Sequence, residues 1–264
     1  MEVSFTAAQA ASAVRAHGVK ISVITACRNS FHNLDDCLDS VASQTHPNLE
    51  HIVIDGNSRD GCQERLSHQG ARLTLIGGDD RDSIFSAWNR GIERAQGDVL
   101  CFLNADDTFE HPDVLATVAQ ALADPWLSAV YGNVKYVKND DLRIVVRQQH
   151  SGEFSRKKLA WGWAPPTTAL FVRRSWYRRI GGFSTQLPFA ADYDATLRLF
   201  AQPFFKSRYI GESLVRKRVE PLHPNTVKKV LHRPREELQA MRRSGLGGVT
   251  AVAWKNLTKL GLYL

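Results

Sequence analysis

An α/β fold built on a doubly wound, mostly parallel (mixed) sheet is predicted by three features of the chain. Apolar runs alternate with amphipathic segments through roughly the first hundred residues. The strongest run, Val99-Leu100-Cys101-Phe102-Leu103, lacks polar alternation, as a strand buried on both faces requires. It stops abruptly at Asn104-Ala105-Asp106-Asp107. That puts oxygen-rich side chains at a strand's carboxyl end, where open α/β sheets bind ligands.

The elements follow in order. Lys20 to Thr25 reads as the first strand, running into the polar turn Ala26-Cys27-Arg28-Asn29-Ser30. Leu34, Leu38 and Val41 recur at helical spacing, with Asp35, Asp36 and Asp39 opposite. Leu49 to Ile54 and Leu73 to Ile76 are the next strands, the former ended by Asp55. Ile84, Phe85, Trp88, Ile92 and Ala95 mark one face of a helix before the central strand. The order β-α-β-α-β-α-β calls for right-handed parallel crossovers. A helix after Pro112, strands over Ser128–Val134, Leu142–Arg147 and Ala169–Val172, and a basic helix from Arg173 to Gly181-Gly182 complete the reading. Asp192 stands where a helix N-cap would.

Strands one, two and four end in polar residues, so Thr25, Asp55, Asn104 and Asp106 are expected to gather at one rim. Carboxylates and hydroxyls there suit a nucleotide whose phosphates are carried by Mg2+ or Mn2+. The plainer alternative has Asp106-Asp107 only preceding the next helix. No GxGxxG follows a strand and no GxxxxGK[ST] exists, which disfavours a dinucleotide oxidoreductase or a P-loop enzyme. A nucleotidyltransferase would want a Gly-rich loop where Ala26-Cys27-Arg28-Asn29 stands.

The 264 residues suffice for one large α/β domain or two small ones. No stretch of eighteen apolar residues is present, and Met1 to Lys20 lacks the apolar core of a secretory signal. The four cysteines show no CxxC spacing, so reduced, buried thiols in a cytoplasmic protein are expected. Residues 1–141 carry a net charge of −9 and residues 142–264 carry +16. The basic half calls for an anion: a diphosphate, an anionic membrane surface or nucleic acid. With no helix-turn-helix signature or stacking-aromatic motif, nucleic acid is not expected as a partner. Near the end, Val249, Val252, Ala253, Leu257, Leu260 and Leu264 share one helical face, with Lys255 and Lys259 opposite. Such a helix either lies on a membrane or docks onto its own protein.

Five segments in this order resemble family 2 glycosyltransferases of the GT-A fold: Ile21–Asn29, Ile52–Asp60, Ile84–Ile92, Gly97–Asp107 and Ala190–Arg198. The likeness is to bacterial members that build exopolysaccharide or O-antigen repeat units. It implies a GT-A domain over residues 20–215, an N-terminal extension over 1–19 and a basic helical extension over 216–264. It implies inverting, non-processive transfer of one sugar from a nucleotide-sugar donor to a glycan or lipid-linked acceptor, with Mn2+ or Mg2+ as cofactor. The donor contacts implied are Thr25, Arg28, Asp55, Asn89, Asn104 and Asp106, with Asp106 and Asp107 at the metal. Asn104 replaces the first acid of the family's DxD motif. Asp192 is the implied general base, with Ala191 where the family often has Glu. Trp163, Pro166, Thr167 and Asp194 fall on the acceptor side, Asp194 being the fallback base. Thr167 stands where relatives often carry His, and the QxxRW motif of processive members is absent. The expected location is the cytoplasm, with peripheral contact at the inner face of the cell membrane. The rival reading is a non-catalytic nucleotide-sugar-binding or scaffold protein of the same fold.

Overall fold

The structure is a computed structural model that describes residues 18–219 and 224–260. Its first half follows the expected alternation: β1 (Ile21–Cys27), α1 (Phe31–Ala42), β2 (Leu49–Asp55), α2 (Cys62–Ser67), β3 (Thr74–Gly77), α3 (Ile84–Arg94) and β4 (Val99–Asn104). These four strands are mutually parallel in the order β3-β2-β1-β4.

The second half adds β5 (Thr108–Phe109), α4 (Val114–Leu122), β6 (Ala129–Val137), β7 (Val145–Gln149), α5 (Arg156–Ala160), β8 (Leu170–Arg173), α6 (Arg174–Ile180), α7 (Ala191–Phe200) and β9 (Ser207–Arg218). The sheet continues β4-β8-β6-β9-β5, and β7 pairs with β6. β8 runs antiparallel to both β4 and β6, whereas β6 and β9 are parallel. Sequence reading missed β9, because its basic residues mask the strand pattern. The expected boundary between residues 215 and 216 falls inside it. Helices α8 (Pro224–Ser244) and α9 (Val249–Leu260) close the chain.

Helices cover both faces, as double winding requires. Ile24, Ile52, Ile54, Leu100 and Phe102 face α3, α6 and α7, together with Ala240 and Met241 of α8 and Ala251 and Val252 of α9. Ile21, Val23, Cys101 and Leu103 face the opposite way, toward Cys37 and Val41 of α1 and Val114, Leu115 and Val118 of α4. The period of two along β1 and β4 is what splits these sets. α3 lies closest to the sheet at Gly91, where a Cβ would stand 2.3 Å from Ile24 Cγ2. Around it Phe85, Trp88, Phe102, Tyr177 and Phe183 form an aromatic cluster, with Trp88–Phe102 and Phe102–Phe183 centroids both 4.9 Å apart. All four cysteines are buried and free. Among the described residues no helix is long and apolar enough to cross a membrane.

Part of the predicted apolar face of α9 is used inward. Of that face Val252 is buried in the main core, with Ala251 beside it in the chain, while Val249 and Ala253 stay exposed, as does Trp254. Leu264 lies outside the described residues, as do residues 1–17 of the expected extension over 1–19.

One buried titratable group beneath the sheet edge should be visible in stability. His51 is 5% exposed and its Nε2 lies 3.0 Å from Thr25 Oγ1. Burial lowers its pKa from 6.5 to about 4. The unfolded chain therefore takes up the proton more readily. The stabilisation is complete above pH 6.5 and is lost as pH falls toward 4. The loss amounts to roughly 3 kcal/mol. Denaturant titrations of His51→Gln across this window should give a shallower acid decline than the parent; an equally steep decline would remove His51 as its source.

Candidate active site

The site is the carboxyl edge of the parallel half-sheet. Register sets Cys27 beside Asp55 and Asp55 beside Gly77, with Ala26 beside Asn104 one rung lower. Two loops interlock above this edge. Asn29 and Asn57 hold left-handed turns, at φ of 51° and 57°, a conformation that asparagine tolerates better than most residues. The Asn29 amide donates to Ser58 Oγ at 2.9 Å, and the Arg59 amide donates to Asn29 Oδ1 at 2.9 Å.

Asp55 sits inside that loop pair and is 3% exposed. Its Oδ2 accepts from the Ser58 amide (3.1 Å) and Gln63 Nε2 (2.9 Å). Its Oδ1 is buried and has no hydrogen-bond partner among the described residues. An acceptor left in that state costs roughly 1–3 kcal/mol, so it marks a place for a donor. Arg28 is exposed and its stem lies along Gly56, 3.3 Å from where a Cβ would project. Among the described residues no acid pairs with it.

At the end of β4, Asn104 Nδ2 donates to Asp107 Oδ2 at 2.7 Å. Asn104 Oδ1 is buried without a partner among the described residues. Asp107 is fully buried and also meets Lys217 Nζ at 3.2 Å. Burial, helped by the charge of Asp106 and opposed by Lys217, pushes its pKa up to about 7. Asp107 thus lies beneath the rim: its Oδ2 is committed to Asn104 and Lys217, while its Oδ1 is buried with no hydrogen-bond partner among the described residues. Asp106 is half-buried, and its carboxylate has no partner among the described residues. Its carbonyl accepts from Arg218 Nη1 at 2.6 Å, while the same guanidinium donates to Asn139 O (2.9 Å) and pairs with Asp36. The loop is therefore held by β9, leaving the Asp106 side chain outward.

Three other predicted residues are placed elsewhere. Thr25 lies two residues short of the end of β1, fully buried against His51, and does not line the rim. Asn89 uses its whole amide on the backbone of Phe183, with Nδ2 donating to the carbonyl (2.9 Å) and Oδ1 accepting from the amide (2.8 Å). The partner turn needs Gly182, whose φ is 71° and whose absent Cβ would meet Asn89 Oδ1 at 2.5 Å. Trp163 is a core plug. It packs edge-on against Tyr131 and Phe200 and at a tilt against Phe154, and Nε1 donates to Ser151 O at 2.7 Å. Pro166 and Thr167 are half-buried at the turn leading into β8.

The two acids of α7 differ sharply. Asp194 is 3% exposed and tied to Arg198 at 2.7 Å, which in turn holds the carbonyls of Ile180 and Gly182. It therefore braces the α6–α7 turn, at the wall of a pocket that it lines with Gly181, Ser184, Arg198 and Arg243. Asp192 lies inside the first helical turn, since the cap position is Ala190. Its side chain is 23% exposed. Arg233 Nη2 of α8 approaches both its oxygens, at 2.9 and 3.1 Å. Burial works to raise the Asp192 pKa, but Arg233 outweighs it and holds the carboxyl below its usual range. Sequence reading missed Arg233, although its i,i+4 spacing from Glu237 was available as a helix signal.

A parallel half-sheet continued by a mixed half, with helices on both faces, is the fold of the GT-A glycosyltransferases. The family model for glycosyl transferase family 2 matches residues 22–184, and the chain belongs to that family. It is similar to a PGL/p-HBAD biosynthesis glycosyltransferase of Mycobacterium bovis, at 31% identity over 194 residues, 72% of this chain and 73% of that protein. An uncharacterized glycosyltransferase of Mycobacterium tuberculosis is 34% identical over 181 residues, 67% and 68% of the two chains. Among solved structures, S. aureus TarS 1–349 in complex with UDP-GlcNAc superposes with a TM-score of 0.67 at 18% identity, covering 85% of this chain and 65% of that one. The mannosyltransferase PcManGT from Pyrobaculum calidifontis, in complex with GDP-Man and Mn2+, gives 0.63 at 21% identity, covering 86% and 64%. This chain spans less than two thirds of either solved structure, and at these identities the likeness is one of fold.

The Asn89 geometry separates a bracing role from a binding one. Asn89→Ala should cost about 2 kcal/mol of stability through two lost hydrogen bonds. Affinity for UDP and GDP should stay within twofold of the parent in calorimetric titrations; a tenfold loss would return Asn89 to the donor site.

Proposed function

We propose that this family 2 glycosyltransferase moves one sugar, with inversion, from a nucleoside-diphosphate sugar to a glycan or lipid-linked saccharide. The observation that carries the reading is the set of orphaned acceptors at and just beyond the strand ends, Asp55 Oδ1, Asn104 Oδ1 and Asp107 Oδ1, with the uncommitted Asp106 carboxylate in the same segment. Asp55 Oδ1 suits a donor group of the base or ribose. Arg28 suits a phosphate or the exposed edge of the nucleoside.

The residues fit a hard divalent ion of the kind named for the mannosyltransferase above. Asp106 would hold it, with Asn104 beside it. Among the described residues no group of three His, Cys, Asp or Glu could complete the shell. Phosphate oxygens and water would supply the rest, as Mg2+ and Mn2+ prefer. When bound, the ion would neutralise charge developing on the departing diphosphate.

Asp192 is the proposed general base. Its carboxylate takes the acceptor hydroxyl proton as the acceptor oxygen bonds to the anomeric carbon. The bond from that carbon to phosphate oxygen breaks, and its electron pair leaves with the nucleotide. A carboxylate held below its usual pKa is ionised at neutral pH, though a weaker base. Asp194 is less suited because Arg198 occupies it. Exposed Trp254 and Val249, with the basic second half, support peripheral contact with an anionic membrane surface.

Thermal-shift titration with UDP- and GDP-sugars, with and without Mn2+, identifies the donor. Asp106→Asn should abolish the Mn2+-dependent part of binding, and Asp55→Ala should weaken the nucleotide with or without metal. Asp192→Asn should keep donor affinity and lower transfer by about two or more orders of magnitude. Undiminished transfer by Asp192→Asn, with loss in Asp194→Asn, would move the base to Asp194. Donor binding with no transfer to any acceptor would favour a binding protein of the same fold.

A further inference from the structure

Four charged side chains alternate in sign across three helices. Asp192 of α7 meets Arg233 of α8, Arg233 Nε donates to Glu237 Oε1 at 3.0 Å, and Lys255 Nζ of α9 donates to the same Glu237 oxygen at 2.9 Å. Glu237 is fully buried and the Arg233 side chain is 24% exposed. Arg233 Nη1 also donates to Phe189 O at 2.9 Å, immediately before α7. Glu236 Oε2 accepts from the Phe189 and Ala190 amides at 2.8 and 2.9 Å, capping a helix whose own cap residue, Ala190, cannot. Lys255 Nζ further lies 3.2 Å from the centroid of the Tyr193 ring. The first turn of α7 is thus built by the basic C-terminal helices as much as by its own sequence.

The contact with Asp192 has an unusual form. A guanidinium usually grips a carboxylate with two nitrogens in a fork. Here one nitrogen touches both oxygens, while the other two serve Phe189 and Glu237. A carboxylate has about four lone-pair sites. The single nitrogen leaves acceptor capacity on a side chain that is 23% exposed.

We infer that Arg233 is a positioning residue for the transfer reaction: it keeps Asp192 ionised and aimed, and through it α8 and α9 are part of the active site. This rests on the reading of Asp192 as the base. The charged and titratable groups around Asp192 are Arg233, Glu236, Glu237 and His232 from α8, Lys255 from α9, and Tyr193 and the Arg198-bound Asp194 on α7 itself. Of these, Arg233 is the cation in contact. An arginine beside a carboxylate lowers its pKa by roughly 1–3 units, so its loss should shift Asp192 upward by that amount.

The test uses the full chain with aspartate carboxyls labelled with 13C, the Asp192 signal being assigned as the one missing in Asp192→Asn. In Arg233→Gln and in Arg233→Met, which keeps the apolar stem, the Asp192 titration midpoint should rise by at least about one unit. Arg233→Lys should recover at least half of that shift. In parallel, release of UDP from UDP-GlcNAc or GDP from GDP-mannose with Mn2+ is followed against pH, with water as acceptor. The two neutral variants should lose kcat progressively below about pH 6, with donor KM unchanged. A midpoint that stays at the parent value in both neutral variants overturns the inference, whatever their kcat. If the midpoint moves but Asp192→Asn releases nucleotide at the parent rate, the base assignment fails instead, and Arg233 is a purely structural partner.

Discussion

Everything at the site depends on β4 being paired in two senses at once. On one edge it runs parallel to β1 over six rungs, and on the other it runs antiparallel to β8 over two. The short antiparallel pairing covers only Val99 and Leu100, so the carboxyl half of β4 is released from the sheet on that side. Asn104 to Asp107 emerge there without a neighbouring strand to cover them. The burial of Val99 to Leu103 on both faces is what holds the release point in register. Shifting it by one residue would turn Phe102 out of the aromatic cluster and bury Asn104 among apolar groups.

The charge asymmetry finds much of its explanation inside the molecule. Arg216, Lys217 and Arg218 on β9 meet Glu110, Asp107 and Asp36, all from the acidic half. Arg233 and Lys255 meet Asp192 and Glu237. β9 is thus in part a counterion shell for the acidic first half and holds the strand-end loop, while Arg233 and Lys255 neutralise acids of the second half itself at the start of α7. Where the acid is fully buried, as for Asp107 and Glu237, removing its cation costs about 3–5 kcal/mol, because the carboxylate is left uncompensated. The two clamps act on different elements, so the strand-end edge and the Asp192 side are braced independently.

The parallel half was legible because burial and period agree there: Val99 to Leu103 could only be a covered strand, and the Asp55 and Asp106 positions follow from strand ends. Failures came where a residue type suits two jobs. Thr25 and Asn89 are polar residues in matching motifs, but Thr25 falls two rungs short of the edge and Asn89 faces a backbone from a segment ninety-four positions away. Trp163 has the composition of a sugar platform and the surroundings of a core. Asp107 was indistinguishable by chain position from Asp106, and a tertiary cation, Lys217, sets it apart, whereas Asp194 is set apart from Asp192 by Arg198 one turn along its own helix, a spacing the sequence already carried. Arg233 was hidden for a related reason. Its partner is forty-one residues earlier, and no local pattern reports a contact of that range.

The central claim is that donor and base share one cleft between the ends of β2 and β4 and the first turn of α7. Hydrogen–deuterium exchange measured with UDP-GlcNAc and with GDP-mannose, each with Mn2+, tests it on the unmodified chain. The account predicts protection for whichever donor binds in residues 54–58 and 104–107, with a smaller effect at 189–193. Protection confined to the polar pocket formed by Gly181, Ser184, Arg198 and Arg243, with the strand ends unchanged, would contradict it.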